Sequence, residues 1–238
     1  MPKKENVRDM FDGIAADYDR LNHIMSLDVD KRWRRKALDR IVAPEAHRIL
    51  DLACGTGDFS IAIAKRAREK EIPAHVTGVD LSEGMLAVMK DKVAKEGLGE
   101  MISIETGDGE ALHFTDNAFD RVTIAFGIRN FENREKGLRE MLRVLRPGGR
   151  LVILELSVPQ NAFFRWCYNL YFLHILPLIG GKVSGDKAAY RYLPASVLHF
   201  PGPREFMETL RECGFSEVEH KAMTFGICRL YTGIKPLR

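Results

Sequence analysis

The stretch Asp51-Leu-Ala-Cys-Gly-Thr-Gly-Asp58 follows Ile49-Leu50 and precedes Phe59-Ser-Ile-Ala-Ile-Ala-Lys-Arg-Ala67. It reads as a strand, a glycine turn and then a helix with one apolar face. Gly55 and Gly57 allow a tight turn and let a ligand approach the main chain closely. The N–H groups that open the next helix form a polar binding surface. A dinucleotide fingerprint needs a third glycine in GxGxxG, and that position is Ser60. The loop therefore suits a nucleoside without a diphosphate, and it argues against the rival reading of a nicotinamide oxidoreductase.

Working outward, the chain alternates strands and helices. Ala74-His-Val-Thr-Gly-Val79 is a second strand, ending at Asp80, and Ser82 caps a helix through Met85, Leu86 and Met89. Ile102 to Ile104 is a third strand, ending near Asp108, and Phe119 to Phe126 a fourth. Leu138, Met141, Leu142 and Leu145 form the apolar stripe of a helix from Arg134, which Pro147-Gly-Gly149 stops. Leu151 to Leu154 is a fifth strand. This spacing predicts a doubly wound α/β sheet. Beyond it, Ala162 to Ile179 is aromatic and apolar, and Gly180 to Asp186 is a loop. The segment from Ser196 to Cys213 looks helical after Pro203. Phe215 to His220 and Phe225 to Tyr231 read as two more strands around a turn at Lys221-Ala-Met-Thr224.

The bulk numbers narrow the function. The chain has 238 residues, enough for one sizeable domain. Within it, 1–45 read as a helical lid and 160–200 as an insertion at a substrate pocket. The formal charge is +3, from 36 basic and 33 acidic residues, too mild to imply a nucleic-acid partner. Cys54, Cys167, Cys213 and Cys228 are scattered without a CxxC pair, which fits a reducing, cytoplasmic setting and suggests no metal knuckle. No metal is expected, since no HExxH or His/Cys pair occurs. The beginning, MPKKENVRDMF, has no apolar signal-peptide core, and no apolar run is long enough to span a bilayer.

Ligands in an open α/β sheet sit beyond the carboxyl ends of the strands. Asp51, Asp80 and Asp108 fall there. A carboxylate at Asp80 suits a ribose diol, because it accepts from both hydroxyls; the alternative is a helix cap. Asp108, between Gly107 and Gly109, is a ligand contact or a turn residue. Asp51 is a direct contact or a stabiliser of the loop.

Several segments resemble one family. Asp51 to Asp58, Val76-Thr-Gly-Val-Asp-Leu-Ser-Glu-Gly-Met-Leu86 and the run from Leu142 to Glu155 resemble a class I methyltransferase that uses S-adenosylmethionine. More specific are Tyr18-Asp-Arg-Leu-Asn22, Trp33-Arg34, Phe126-Gly-Ile-Arg-Asn130, Val183-Ser-Gly-Asp186, Ala189-Tyr-Arg-Tyr-Leu-Pro194 and Thr224-Phe-Gly-Ile227. Together they resemble the C-methyltransferases of menaquinone and ubiquinone biosynthesis, from about Val7 to Lys235. The resemblance implies a seven-stranded, mostly parallel sheet with helices on both faces and an antiparallel strand near the C-terminus. It implies C-methylation of 2-demethylmenaquinol to menaquinol, with S-adenosylmethionine held by Asp51, Gly55, Thr56, Gly57, Asp80, Asp108 and Gly109. Gly109 stands where alanine is frequent, so its contact would be through the main chain. Ala125 stands where some ubiquinone-acting relatives have serine, which leans towards a menaquinone enzyme.

Arg129, Asn130 and Tyr18 are the candidates for the chemistry. Arg129 would stabilise developing oxygen charge or hold a water, the alternative being a surface ion pair. Asn130 would orient the acceptor ring, and Tyr18, Asp19 and Asn22 belong to the lid. Asp186 and Tyr190 are candidates for the far pocket wall. The acceptor's isoprenoid tail needs an apolar groove, for which Phe163, Phe164, Trp166, Tyr171, Phe172, Leu173 and Leu176 are candidates; core packing is the alternative. Lys31-Arg-Trp-Arg-Arg-Lys36 is a basic cluster that would touch anionic headgroups at the inner face of a membrane or form a solvated helix face. The expected partners are thus an isoprenoid quinol, a membrane surface and, as a further candidate, a second copy of the chain.

Overall fold

The strand before the glycine turn is apolar on both faces, with Ile49, Leu50 and Leu52 fully buried, as a central parallel strand must be. It is β1 (Arg48–Leu52) of a computed structural model that describes residues 3–16, 18–19, 29–171 and 187–237, the side chains of 187–191 excepted. The other strands are β2 (His75–Asp80), β3 (Ile102–Thr106), β4 (Phe119–Ala125), β5 (Leu145–Leu156), β6 (Ser216–Met223) and β7 (Cys228–Ile234). They form one seven-stranded sheet in the order β3-β2-β1-β4-β5-β7-β6. The pairs from β3 to β5 are parallel, and β7 runs antiparallel to both β5 and β6. The sequence order reverses beside β1, so β1 and β4 flank the switch point where such sheets bind ligands.

Side chains alternate between two apolar layers. Ile49, Val76, Val152 and Leu154 pack with Trp33, Ile41, Phe59 and Ile63 on one face. Leu50, Val122, Leu151 and Ile153 pack with Leu138, Met141, Phe206 and Tyr231 on the other. Each fully buried Leu, Ile or Phe stabilises the fold by about 1.5–3 kcal/mol. The layers are carried by α2 (Val29–Ile41), α3 (Asp58–Glu69) and α4 (Glu83–Lys95) together with α5 (Arg134–Val144) and α8 (Pro203–Glu212). Ser82 caps α4 by accepting from Met85 N at 3.1 Å, as the sequence predicts.

Three elements sit at the edge of this frame. These are α1 (Lys4–Ile14), α6 (Ala162–Leu170) and α7 (Lys187–Leu198). Only Val7 of α1 is buried. That helix is docked largely by polar contacts.

Two expectations change, and one helix is unforeseen. Pro147-Gly-Gly149 lies inside β5 and is not a stop, because α5 already ends at Val144. The hairpin turn is Thr224 to Ile227, not Lys221 to Thr224, so Phe225 belongs to the turn. Residues 187–198 form a helix through Pro194, although a proline there reads as a breaker. Asn22, Phe172, Leu173, Leu176, Asp186 and the side chain of Tyr190 lie outside the described residues.

Candidate functional site

At the carboxyl ends of β1 and β4 the backbone leaves the strands in left-handed conformations: Ala53 at φ 48°, Gly55 at 57°, Gly57 at 83° and Phe126 at 62°. Ala53 and Phe126 adopt such geometry against strain, which is common where a fold builds a site. Gly57 has a second reason to be glycine, since a Cβ there would sit 2.4 Å from Met89 Cγ. The turns border a cleft with about 780 Å³ of empty space, counted out into its open mouth. Tyr18, Gly55, Asp80, Asp108, Gly109 and Asn130 all line it.

Asp80 is not the cap of α4. Its Oδ2 accepts from Gly55 N at 2.8 Å and its Oδ1 from Ser82 N at 2.9 Å, so it ties β2 to the glycine loop. Each oxygen keeps acceptor capacity for a diol. Burial raises its pKa, and the backbone donors only partly offset that. Asp108 lies at the other end, with Lys4 Nζ at 2.7 Å and Glu110 N at 2.9 Å. Burial raises its pKa, but the Lys4 and Glu110 contacts outweigh it and the net shift is downward. Gly109 packs so tightly on Phe131 that a Cβ would sit 2.6 Å from the ring.

The other expected cofactor residues sit behind this lining. Asp51 is fully buried, and Ser60 Oγ donates to its Oδ2 at 2.5 Å. Ser60, in the place of a third glycine, thus braces the loop. Among the described residues Asp51 Oδ1 has no hydrogen-bond partner, and burial pushes the carboxyl pKa up to about 7. Thr56 is buried and its hydroxyl donates to Asp19 Oδ1 at 2.5 Å. Asp19 Oδ2 also meets Lys92 Nζ at 2.8 Å, and Lys92 in turn contacts Asp58.

The candidates for chemistry separate in the same way. Tyr18 and Asn130 face the cleft, whereas Arg129 does not line it. Arg129 is only 7% exposed and forms a buried ion pair, not a surface one, with Glu155 Oε1 at 2.7 Å. Its guanidinium also donates to Phe126 O and to Ser196 Oγ, and its N–H to Glu155 Oε2 at 3.2 Å. Burial pulls its pKa down, but Glu155 and nearby Tyr18 raise it more. The arginine therefore holds the turn that presents Asn130. Tyr192 OH donates to Asn130 Oδ1 at 2.9 Å, which leaves the Asn130 NH₂ as the available donor.

Sequence reasoning gave no role to Tyr192 or Glu155 and, although it reads 1–45 as a helical lid, named no contact made by α1. Lys4, Val7 and Phe11 form one wall of the cleft. Asp12 Oδ1 accepts from Ser82 Oγ at 2.5 Å and Gly84 N at 2.9 Å, which clamps α1 to the start of α4. The signal was the apolar spacing of Val7, Phe11 and Ile14. Of the tail-groove candidates, Phe163 and Trp166 point outward, 64% and 62% exposed, and neither lines the cleft. In the basic cluster, Trp33 is buried, and Arg32, Arg35 and Lys36 are exposed.

Residues 1–235 match the model of the ubiE/COQ5 methyltransferase family. The chain belongs to that family. As a ubiE/COQ5 methyltransferase it is an enzyme, and its methyl donor is S-adenosylmethionine. It is 49% identical over 236 residues to the ubiquinone/menaquinone biosynthesis C-methyltransferase UbiE of Geobacter sulfurreducens, covering 99% of this chain and 91% of that protein. It is 45% identical over 233 residues to the demethylmenaquinone methyltransferase of Bacteroides fragilis, covering 98% and 94%. The crystal structure of a SAM-dependent methyltransferase from Aquifex aeolicus superposes with a TM-score of 0.60 at 18% identity, over 84% of this chain and 88% of that one. At that identity the likeness concerns the fold alone.

Proposed function

We propose that this methyltransferase converts 2-demethylmenaquinol to menaquinol. The observation that carries the reading is the match, over nearly the whole chain, to proteins named for that reaction. S-adenosylmethionine supplies a sulfonium-activated methyl. The acceptor has to be the reduced quinol, because a phenolate pushes electron density onto the ring carbon and an oxidised quinone does not. A carbon–carbon bond forms, the carbon–sulfur bond breaks, and the ring carbon then loses its proton.

In this reading the chain orients and encloses. Asp80 takes the ribose hydroxyls, and Asp108 with Gly109 borders the base, alongside the wall from α1. Gly55 brings the main chain close, Gly57 allows the turn, and Asp51, bonded to Ser60, supports the loop from below. Thr56 acts through Asp19 to hold the N-terminal segment down as a lid. Asn130 donates to an oxygen of the acceptor, and Tyr18 covers the reacting end. These contacts hold ring carbon and methyl in line, which is where much of the rate enhancement arises. Arg129 and Glu155 are positioning residues for the Asn130 turn. An arginine stays protonated at ordinary pH and is a poor proton acceptor, so Arg129 does not take the ring proton.

The test is an anaerobic assay with labelled methyl donor and demethylmenaquinone, either dithionite-reduced or strictly oxidised. Label should appear on the ring carbon of the reduced acceptor alone. Equal turnover of both forms would overturn the phenolate route, and cofactor binding without transfer to the quinol would overturn the acceptor.

A further inference from the structure

Helix α6 is apolar on the side that faces solvent. Its inner side carries Tyr168, 4% exposed and packed with Val197 against Leu156, Val158 and Ile227. Its outer side carries Phe163, Trp166 and Leu170, at spacings of three and four residues, 64%, 62% and 42% exposed. Those spacings put all three on one stripe. The stripe continues onto the β6–β7 turn, where the ring of Phe164 stacks on Phe225 at 4.1 Å and 11°. Phe225 is 67% exposed and sits at φ 57°, after Thr224 at 44°. A bulky residue holds left-handed backbone only against strain, so a costly turn is maintained to present an aromatic ring to solvent. Single exposed apolar residues need no explanation, but a contiguous aromatic patch does.

Charge indicates what covers the patch. The same turn is tied to α2, since Trp33 Nε1 donates to Thr224 Oγ1 at 2.8 Å. The solvent side of α2 carries Arg32, Arg35 and Lys36, all exposed. Aromatic rings beside unburied cations match the boundary of an anionic bilayer, where rings settle among headgroups and cations meet phosphates. Among the described residues no helix is long and apolar enough to cross a membrane, so the contact would be peripheral.

We propose that the outer face of α6 with Phe225, flanked by the basic side of α2, is a docking surface for an anionic phospholipid bilayer. The acceptor then enters from the lipid phase at this face, a step that rests on the quinol reading above.

Flotation tests the surface, using vesicles of phosphatidylcholine with and without phosphatidylglycerol. The wild type should float with the anionic vesicles. Arg32→Glu with Lys36→Glu should weaken binding on the order of tenfold or more, given roughly 1 kcal/mol for each basic residue near such a surface. Trp166→Ser with Phe225→Ser should abolish flotation. Both variants should keep the wild-type thermal midpoint and wild-type turnover of a short-tailed, water-soluble demethylnaphthoquinol, while turnover of vesicle-embedded long-tailed acceptor falls. Absence of wild-type flotation, or flotation unchanged in the aromatic variant, would overturn the proposal. So would a wild-type dimer that the aromatic variant splits, which would assign the patch to a second copy. If the wild type failed to turn over the short-tailed quinol, the acceptor reading would fall while flotation still judged the surface.

Discussion

Tyr192 and Asp51 show how much of this site depends on side chains that are held rather than exposed. The Tyr192 hydroxyl decides which end of the Asn130 carboxamide is free. Tyr192→Phe removes that one bond and nothing else. Stability should fall by about 0.5–1.5 kcal/mol, and Asn130 should lose its orientation. Single-turnover methyl transfer should then slow by roughly tenfold with the cofactor dissociation constant unchanged. An unaltered transfer rate would make Tyr192 merely a packing residue. Asp51 carries a different prediction. Its pKa near 7 in the fold lies above the 3.8 of a free carboxyl, so the folded state binds its proton more tightly than the unfolded state. The contribution is fully present below about pH 4 and is lost as pH rises to about 7, beyond which it stays lost. Each unit is worth about 1.4 kcal/mol, so roughly 4 kcal/mol is the ceiling. Asp51→Asn should flatten the thermal midpoint of the cofactor-free protein between pH 4 and 7 and raise it above pH 7. Equal slopes in both proteins would mean that relaxation or water has already solvated the carboxyl.

At the scale of elements, α1 is the part most easily separated from the rest. Its one buried side chain is Val7, and Asp12 holds it through Ser82 and Gly84. Asp12→Ala should therefore loosen the helix without opening the sheet. Hydrogen exchange should rise across residues 4–14 alone, and cofactor affinity should weaken on the order of tenfold. Undisturbed affinity would remove α1 from the binding wall. The same contrast explains what was legible in the sequence. The glycine loop, Asp80 and Asp108 were readable because strand, turn and acid are neighbours in the chain. The orientation of Arg129 was not, because it depends on Glu155, 26 positions away. Nor was Tyr192, 62 positions from the amide it meets. The turn at Thr224 and Phe225 was misplaced because both adopt left-handed backbone, for which neither residue type is a signal. Residues 187–198 form a helix for which the sequence carries no clear signal, since Pro194 lies within it.

Across the whole molecule, the sheet was the easiest level to foresee, since alternating strands and helices leave few topologies. The strand order also sets where chemistry happens, because the reversal beside β1 opens the cleft that Tyr18, Asp80 and Asn130 share. The last strand has a further consequence. Residues Cys228–Ile234 follow every other strand of the sheet in sequence, yet they lie between β5 and β6 and hydrogen-bond to both. A ribosome releases this strand after every other part of the sheet has emerged. Until then β5, which carries Glu155, has an open edge, and β6 has no neighbour. A copy that stops before Cys228 would display both edges to proteases and chaperones, so the sheet closes only once its last strand has been made.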